Sequence, residues 1–103
     1  MKRSRTTSTN TIAVPGFKFA GVACGIKKRK KDLALIACER LATAAALFTT
    51  NQVQAAPVVV GRERIKKGKM QAVVVNSGNA NACTRAHGLR DAGSMCRLAG
   101  RHL

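Results

Sequence analysis

The sequence predicts an α+β or mixed α/β layer fold. Three observations predict it. Strand-like apolar runs crowd the first half of the chain. Helical and strand patterns then alternate in the second half. Apolar residues make up 46% of the 103 residues, near the globular average and too many for a disordered basic tail. The predicted order is strand, strand, strand, helix, strand, helix. The length bounds the chain at one domain or part of one.

Each element has its own signal. Pro15-Gly16 marks a turn. Phe17-Lys18-Phe19 then alternates apolar and polar, which predicts a strand reaching about Ile26. Lys27 to Lys31 is an unbroken basic run between two apolar segments and is expected to form a hairpin loop. Asp32 to Cys38 carries six apolar residues in a row, the pattern of a strand covered on both faces. Ala42 to Phe48, after Glu39-Arg40, predicts a third strand. Ala56-Pro57 opens a helix over Val58 to Ile65, with Pro57 in the first turn, where its missing N–H costs little. Arg62, Arg64, Lys66 and Lys67 complement the dipole at its far end, and Gly68 stops it. Met70 to Val75 predicts a buried strand. From Gly88 onward, Leu89, Ala92, Cys96, Ala99 and Leu103 fall on one helical face, with Arg90, Arg97 and Arg101 on the other. The apolar set is mostly Ala and Val, so the expected core is lean.

Charge is the outstanding compositional feature. Nineteen Lys+Arg against four Asp+Glu leave a net charge of +15. Clusters at Lys27–Lys31 and Lys66–Lys69 would attract phosphate polyanions by counterion release. The chain has no Trp, no Tyr and three Phe. That excludes proteins that stack several bases on aromatic platforms but leaves phosphate binding open. No apolar run approaches the roughly 18 residues of a membrane span. Residues 1–13 are read as a mobile basic terminus, short for an organellar transit peptide. No secretory core follows it. Cys24, Cys38, Cys83 and Cys96 are therefore expected to be reduced, small and buried. A cytoplasmic location is the expectation, with the mitochondrial matrix as the eukaryotic alternative.

No catalytic constellation stands out. The acids Asp32, Glu39, Glu63 and Asp91 are scattered. Ser77, His87 and Asp91 could be assembled into a triad only on paper. Cys83, His87 and Cys96 would make an unusual zinc set. No metal or cofactor is expected. The segment from Asn76 to Thr84 is different. Asn76, Ser77, Gly78, Asn79, Asn81 and Thr84 sit between a predicted strand and a predicted helix. Side-chain amides and exposed N–H groups there suit a ligand site at a strand edge, and equally a turn with a helix cap.

Several motifs, in order, resemble one family. They are Val14-Pro15-Gly16-Phe17, Gly21-Val22-Ala23-Cys24-Gly25-Ile26-Lys27, Lys31-Asp32-Leu33-Ala34-Leu35-Ile36 and Ala42-Thr43-Ala44-Ala45. Phe48-Thr49-Thr50-Asn51, Ala55-Ala56-Pro57-Val58 and Gly88-Leu89 continue the match, with Asp91-Ala92 and Met95 beyond them. Val75-Asn76-Ser77-Gly78-Asn79-Ala80-Asn81-Ala82-Cys83-Thr84 carries the strongest similarity. Together, over positions 14 to 98, they resemble the start of ornithine acetyltransferase/N-acetylglutamate synthase, the glutamate N-acetyltransferase family of arginine biosynthesis. The resemblance implies a layered αββα core, of which 14–103 would be the truncated N-terminal part. It implies acetyl transfer from N-acetylornithine to glutamate, with acetyl-CoA as a co-substrate in some members. It also implies a precursor that cleaves itself before a threonine nucleophile, a Thr-Gly oxyanion pair and an α2β2 assembly with a second subunit.

The departures from that family are equally specific. Its nucleophile, its oxyanion segment and its main substrate-binding residues lie beyond Leu103. Arg85 stands where the family usually has Gly, and Arg40-Leu41 where it often has Arg-Pro. No catalytic residue carries over. Asn76, Ser77, Gly78, Asn79, Asn81 and Thr84 are expected to form framework near the active site. Asn79 and Asn81 would hold neighbouring backbone, and Thr84 would cap the helix. The chain alone is expected to be inactive. The alternative is a small basic protein that binds RNA or another polyanion.

Overall fold

The computed structural model describes residues 13–103, so the terminus expected over 1–13 lies outside the described residues but for Ala13. The order is β1 (Phe17–Val22), β2 (Leu33–Thr43), α1 (Ala56–Arg64), β3 (Lys69–Asn76) and α2 (Arg85–Arg101). The strands form one antiparallel sheet in the order β1-β2-β3. The α+β class expected from the sequence is the class observed.

β1 starts where Pro15-Gly16 turns the chain, with Gly16 at φ +83°. It ends at Val22, short of Ile26, because the chain from Cys24 to Lys27 is drawn off the ladder into a turn. The basic run lies in the β1–β2 connection, as expected. Phe19 pairs with Ile36, and Ile36 in turn with Val73.

The expected third strand over Ala42 to Phe48 does not exist as a separate element. Glu39-Arg40, read as a break, is part of a bulge inside β2. Ala37 pairs with Ala72 and Ala42 with Met70, so Cys38 to Leu41 all stand opposite Gln71. The bulge lets one strand continue through Thr43 with its ladder resumed. From Ala44 the chain leaves the sheet. Its irregular path is held by Arg62, which donates to the Gln54 side chain at 2.7 Å and the Thr49 carbonyl at 3.1 Å. The same guanidinium lies 5.3 Å from the centroid of the Phe48 ring, a cation–π distance.

α1 carries Pro57 in its first turn and Arg62 and Arg64 in its last. Gly68, at φ +68°, ends the connection, its N–H bonded to the Ile65 carbonyl at 2.8 Å. α2 begins at Arg85, three residues earlier than the apolar pattern indicates. Gly88, Ala92 and Gly93 are its buried positions. Leu89 and Leu103 are exposed, against expectation. The small residues let the helix approach its neighbours, while the leucines lie off that line.

Register divides the sheet into two faces. Ala20, Leu35 and Val74 share the face turned to the helices. The fit there is loose. A cavity of about 360 Å³ lies between Ala20, Leu35 and Val74 on one side and Met95 and Leu98 on the other. Phe17, Phe19, Ile36, Val73 and Val75 share the opposite face. Phe19 is 54% exposed and Val75 46%. Neither β2 nor β3 is therefore covered on both faces, which corrects both expectations. Antiparallel strands need only one packed face, and here helices cover only one. Among the described residues, the buried apolar ones are Ala56 and Ala92, a core as lean as the composition indicates.

The two faces should respond differently to the same chemistry. Val74→Thr places a hydroxyl against the helix-facing apolar surface and should cost about 1–2 kcal/mol. Val73→Thr, on the open face, should stay within about 0.5 kcal/mol. Urea unfolding of both variants measures the difference, and equal losses would contradict this division of the sheet.

Candidate functional site

The only buried charged side chain among the described residues is Asp32, 3% exposed. It sits at the residue before β2. Its Oδ1 accepts the Cys24 N–H at 2.8 Å and its Oδ2 the Lys27 N–H at 2.9 Å. Its own N–H donates to the Val22 carbonyl at 3.0 Å, and its carbonyl accepts the Ser77 N–H at 2.9 Å. One residue thus shapes the β1–β2 turn and anchors the loop after β3. The amides of Cys24 and then Lys27 hold the carboxyl well below the usual carboxylate range. The Cys24 thiol, hydrogen-bonded to the same carboxylate, is pushed above its ordinary value.

The Asn76–Thr84 loop is seated on that turn. Gly78 has φ +92°, and a β-carbon there would lie 2.7 Å from Lys27 Cγ and 3.1 Å from Ile26 Cγ2. Only glycine meets both the conformation and the close approach. The Asn76 amide donates to the Asn79 carbonyl at 3.2 Å. The Asn79 carbonyl is therefore the group held, by Asn76. The Asn81 carbonyl accepts the Ala56 N–H at 3.1 Å, at the start of α1. The Asn81 amide donates to the Gly88 carbonyl at 2.8 Å, in the first turn of α2. Asn81 therefore binds one loop to both helices.

Thr84 occupies the N-cap position of α2, but its hydroxyl makes no cap bond. It donates to the Asn81 side-chain oxygen instead. A β-carbon at Gly88 would overlap both of these oxygens. Flanking Thr84, Cys83 and Arg85 have φ of 56° and 57°, the left-handed region that costs a side chain about 1–2 kcal/mol. Ser77 contributes its backbone N–H.

The other constellations do not assemble. His87 and Asp91 pair at 3.3 Å on an exposed turn of α2, and among the described residues no hydrogen bond joins Ser77 to them. The described residues contain no group of three metal-ligating side chains, so Cys83, His87 and Cys96 stay apart. All four cysteines are free. Cys24 and Cys83 are exposed, contrary to the buried thiols expected, because both lie in turns and not on packed strands. No described helix is long and apolar enough to cross a membrane.

The structural weight of Asp32 escapes sequence reasoning because it reads as one scattered acid. Its signal is its setting: a single carboxylate between five cations and six apolar residues.

A profile of the ArgJ family matches residues 18–103. The chain belongs to the ArgJ family. It is 62% identical over 82 residues to the arginine biosynthesis bifunctional protein ArgJ of Caldanaerobacter subterraneus, covering 80% of this chain and 20% of that protein. A crystal structure of the corresponding ArgJ protein from Bacillus halodurans superposes with a TM-score of 0.76 at 51% identity, over 79% of this chain and 43% of that one. The ornithine acetyltransferase of Mycobacterium tuberculosis, solved in complex with ornithine, gives 0.72 at 48% identity, over 78% and 42%. The chain spans about a fifth of the length of these curated relatives. Its α+β layers are the fold of the ArgJ structures.

Two outcomes follow for the site. The depressed Asp32 carboxyl contributes stability that is complete above the ordinary aspartate value of 3.8. That contribution should fade as pH falls through and below this value. Acid unfolding of wild type and Asp32→Asn measures it; the variant should lose the pH dependence. Arg85→Gly should stabilise the chain by about 0.5–1 kcal/mol, through relief of a left-handed side-chain residue. Thermal or urea unfolding checks the sign.

Proposed function

We propose that this chain is the N-terminal framework of a glutamate N-acetyltransferase. The whole enzyme would move an acetyl group from N-acetylornithine to glutamate in arginine biosynthesis, with acetyl-CoA as a further donor in bifunctional members. The observation that carries this is the Asn76–Thr84 loop. It matches the family signature and is tied by hydrogen bonds to Asp32, Ala56 and Gly88.

The role of this chain in that reaction is positional. Asn76 and Asn81 hold backbone through their amides and Ser77 through its N–H, Thr84 holds the Asn81 side chain, Gly78 admits the close approach of Lys27, and Asn79 is held; none carries the chemistry. The 103 residues contain no Thr-Gly pair of the kind the family resemblance implies for the oxyanion hole. None of these residues is assigned as the threonine nucleophile of that resemblance, and this chain serves as framework. Its partner is the remainder of the enzyme, and the open face of Phe19, Ile36, Val73 and Val75 suits a second sheet layer laid over it. Such a layer would complete the αββα sandwich and supply the reacting groups. The proposed location is the cytoplasm.

Purified chain should give no acetyl exchange between N-acetylornithine and glutamate, followed by product formation. Co-expressed with the complementary part of the Caldanaerobacter protein, it should co-elute on size exclusion and recover exchange. Turnover by the chain alone would overturn the positional role. Persistent separate elution would count against the partnership.

A further inference from the structure

Lys27, Lys28, Arg29, Lys30 and Lys31 form five consecutive cations in the β1–β2 connection. The one acid beside them, Asp32, is turned inward, with both oxygens occupied by the Cys24 and Lys27 amides. Its carboxylate faces the backbone of the turn, while Lys28, Arg29 and Lys30 stand exposed. The turn is also braced from below, since the Ile26 and Lys27 side chains pack on Gly78. The result is a basic tip on a fixed base. The second basic cluster lies on the α1–β3 connection, where Lys66 is paired with Glu63 at 2.7 Å and Lys69 donates to the Thr43 hydroxyl at 3.1 Å.

We infer that the Lys27–Lys31 tip is a binding site for the phosphate backbone of a nucleic acid, for which RNA is the probe. A braced tip loses little conformational freedom on binding. The connection is bent and closes on itself between Val22 and Leu33, so its exposed cations form one compact cluster of charge. Ile26 is the one large apolar side chain at the tip, and the chain has no Trp or Tyr. Insertion into a lipid interface is therefore poorly served, and base stacking is absent. Contact is through charge alone, so binding is independent of base sequence. It is also independent of acetyl transfer.

The test is fluorescence anisotropy with a labelled single-stranded RNA of mixed sequence. Neutralising about four phosphates gives a log–log salt slope near −3, so affinity should fall about 50-fold between 50 and 200 mM salt. Lys28→Glu/Arg29→Glu/Lys30→Glu should weaken binding at least about tenfold, while Lys66→Glu/Lys67→Glu/Lys69→Glu, an identical charge change, should cost less than about threefold. Circular dichroism shows whether each variant is folded, and Lys28→Gln/Arg29→Gln/Lys30→Gln replaces the tip variant if it is not. Equal losses from the two clusters would overturn the site, as would tighter binding to phosphatidylserine vesicles than to RNA. Asp32→Asn sharpens the distinction. It raises the net charge by one but releases the turn, so binding to RNA should weaken; unchanged or tighter binding would mean that total charge acts and the tip does not.

Discussion

The carboxylate of Asp32 is the constraint on which the described structure turns. A buried charge without partners is expensive, and charge-assisted bonds to backbone amides offset that cost. Asp32 finds its partners in Cys24 and Lys27, which forces the chain after Val22 out of the ladder. The turn so made is the platform on which Gly78 sits. The backbone of the same residue reaches Ser77. From Ser77 the loop leads to Asn81, and Asn81 engages the starts of both helices. A path of hydrogen bonds and loop backbone therefore runs from the hairpin to α1 and α2. That path compensates for a sheet–helix interface that packs loosely around Met95 and Leu98.

The lean core and the open sheet face are one fact seen twice. Alanine and valine strands bury little area per residue, and hydrophobic stabilisation scales with that area. The helices cover only the Ala20–Leu35–Val74 side. The side bearing Phe19 and Val75 is left about half exposed and gains less from water exclusion. A surface of that kind, on a chain spanning about a fifth of its curated relatives, has the character of an inter-layer surface.

Local signals in the sequence were sufficient wherever local physics decides the outcome. Pro57 in the first turn and Gly68 after the last give α1 within two residues at either end. Pro15-Gly16 gives the start of β1, and the valines give β3. The bulge in β2 was not legible, because Glu39-Arg40 looks the same whether a strand ends or merely skips a rung. The structure shows a strand that needs no ladder partner for Leu41. The exposure of β3 was not legible either. A run of valines signals burial, but only the topology tells which face is covered. Within the candidate site, the residues of the loop were legible by motif. Asp32 and Gly88 also stand in matching motifs, but their contacts, with residues distant in sequence or a turn away, were not legible.

The turn around Thr84 shows what the loop is built to preserve. Cys83 and Arg85 both adopt left-handed backbone, and neither has the short polar side chain that tolerates it. Strain of that order persists only where neighbours over-determine it. Here the neighbours can be named. Thr84 is tied to Asn81, Asn81 to Gly88, and Ala56 to Asn81. The pair of left-handed residues rotates Thr84 so that its hydroxyl meets Asn81 and not the helix amides it would otherwise cap. The cap is forgone to lock Asn81. With the Asn81 amide fixed, the α2 start and the α1 start are fixed with it. A turn that forgoes its cap in a chain with so small a core is shaped for position, and position is what a framework contributes to an active site.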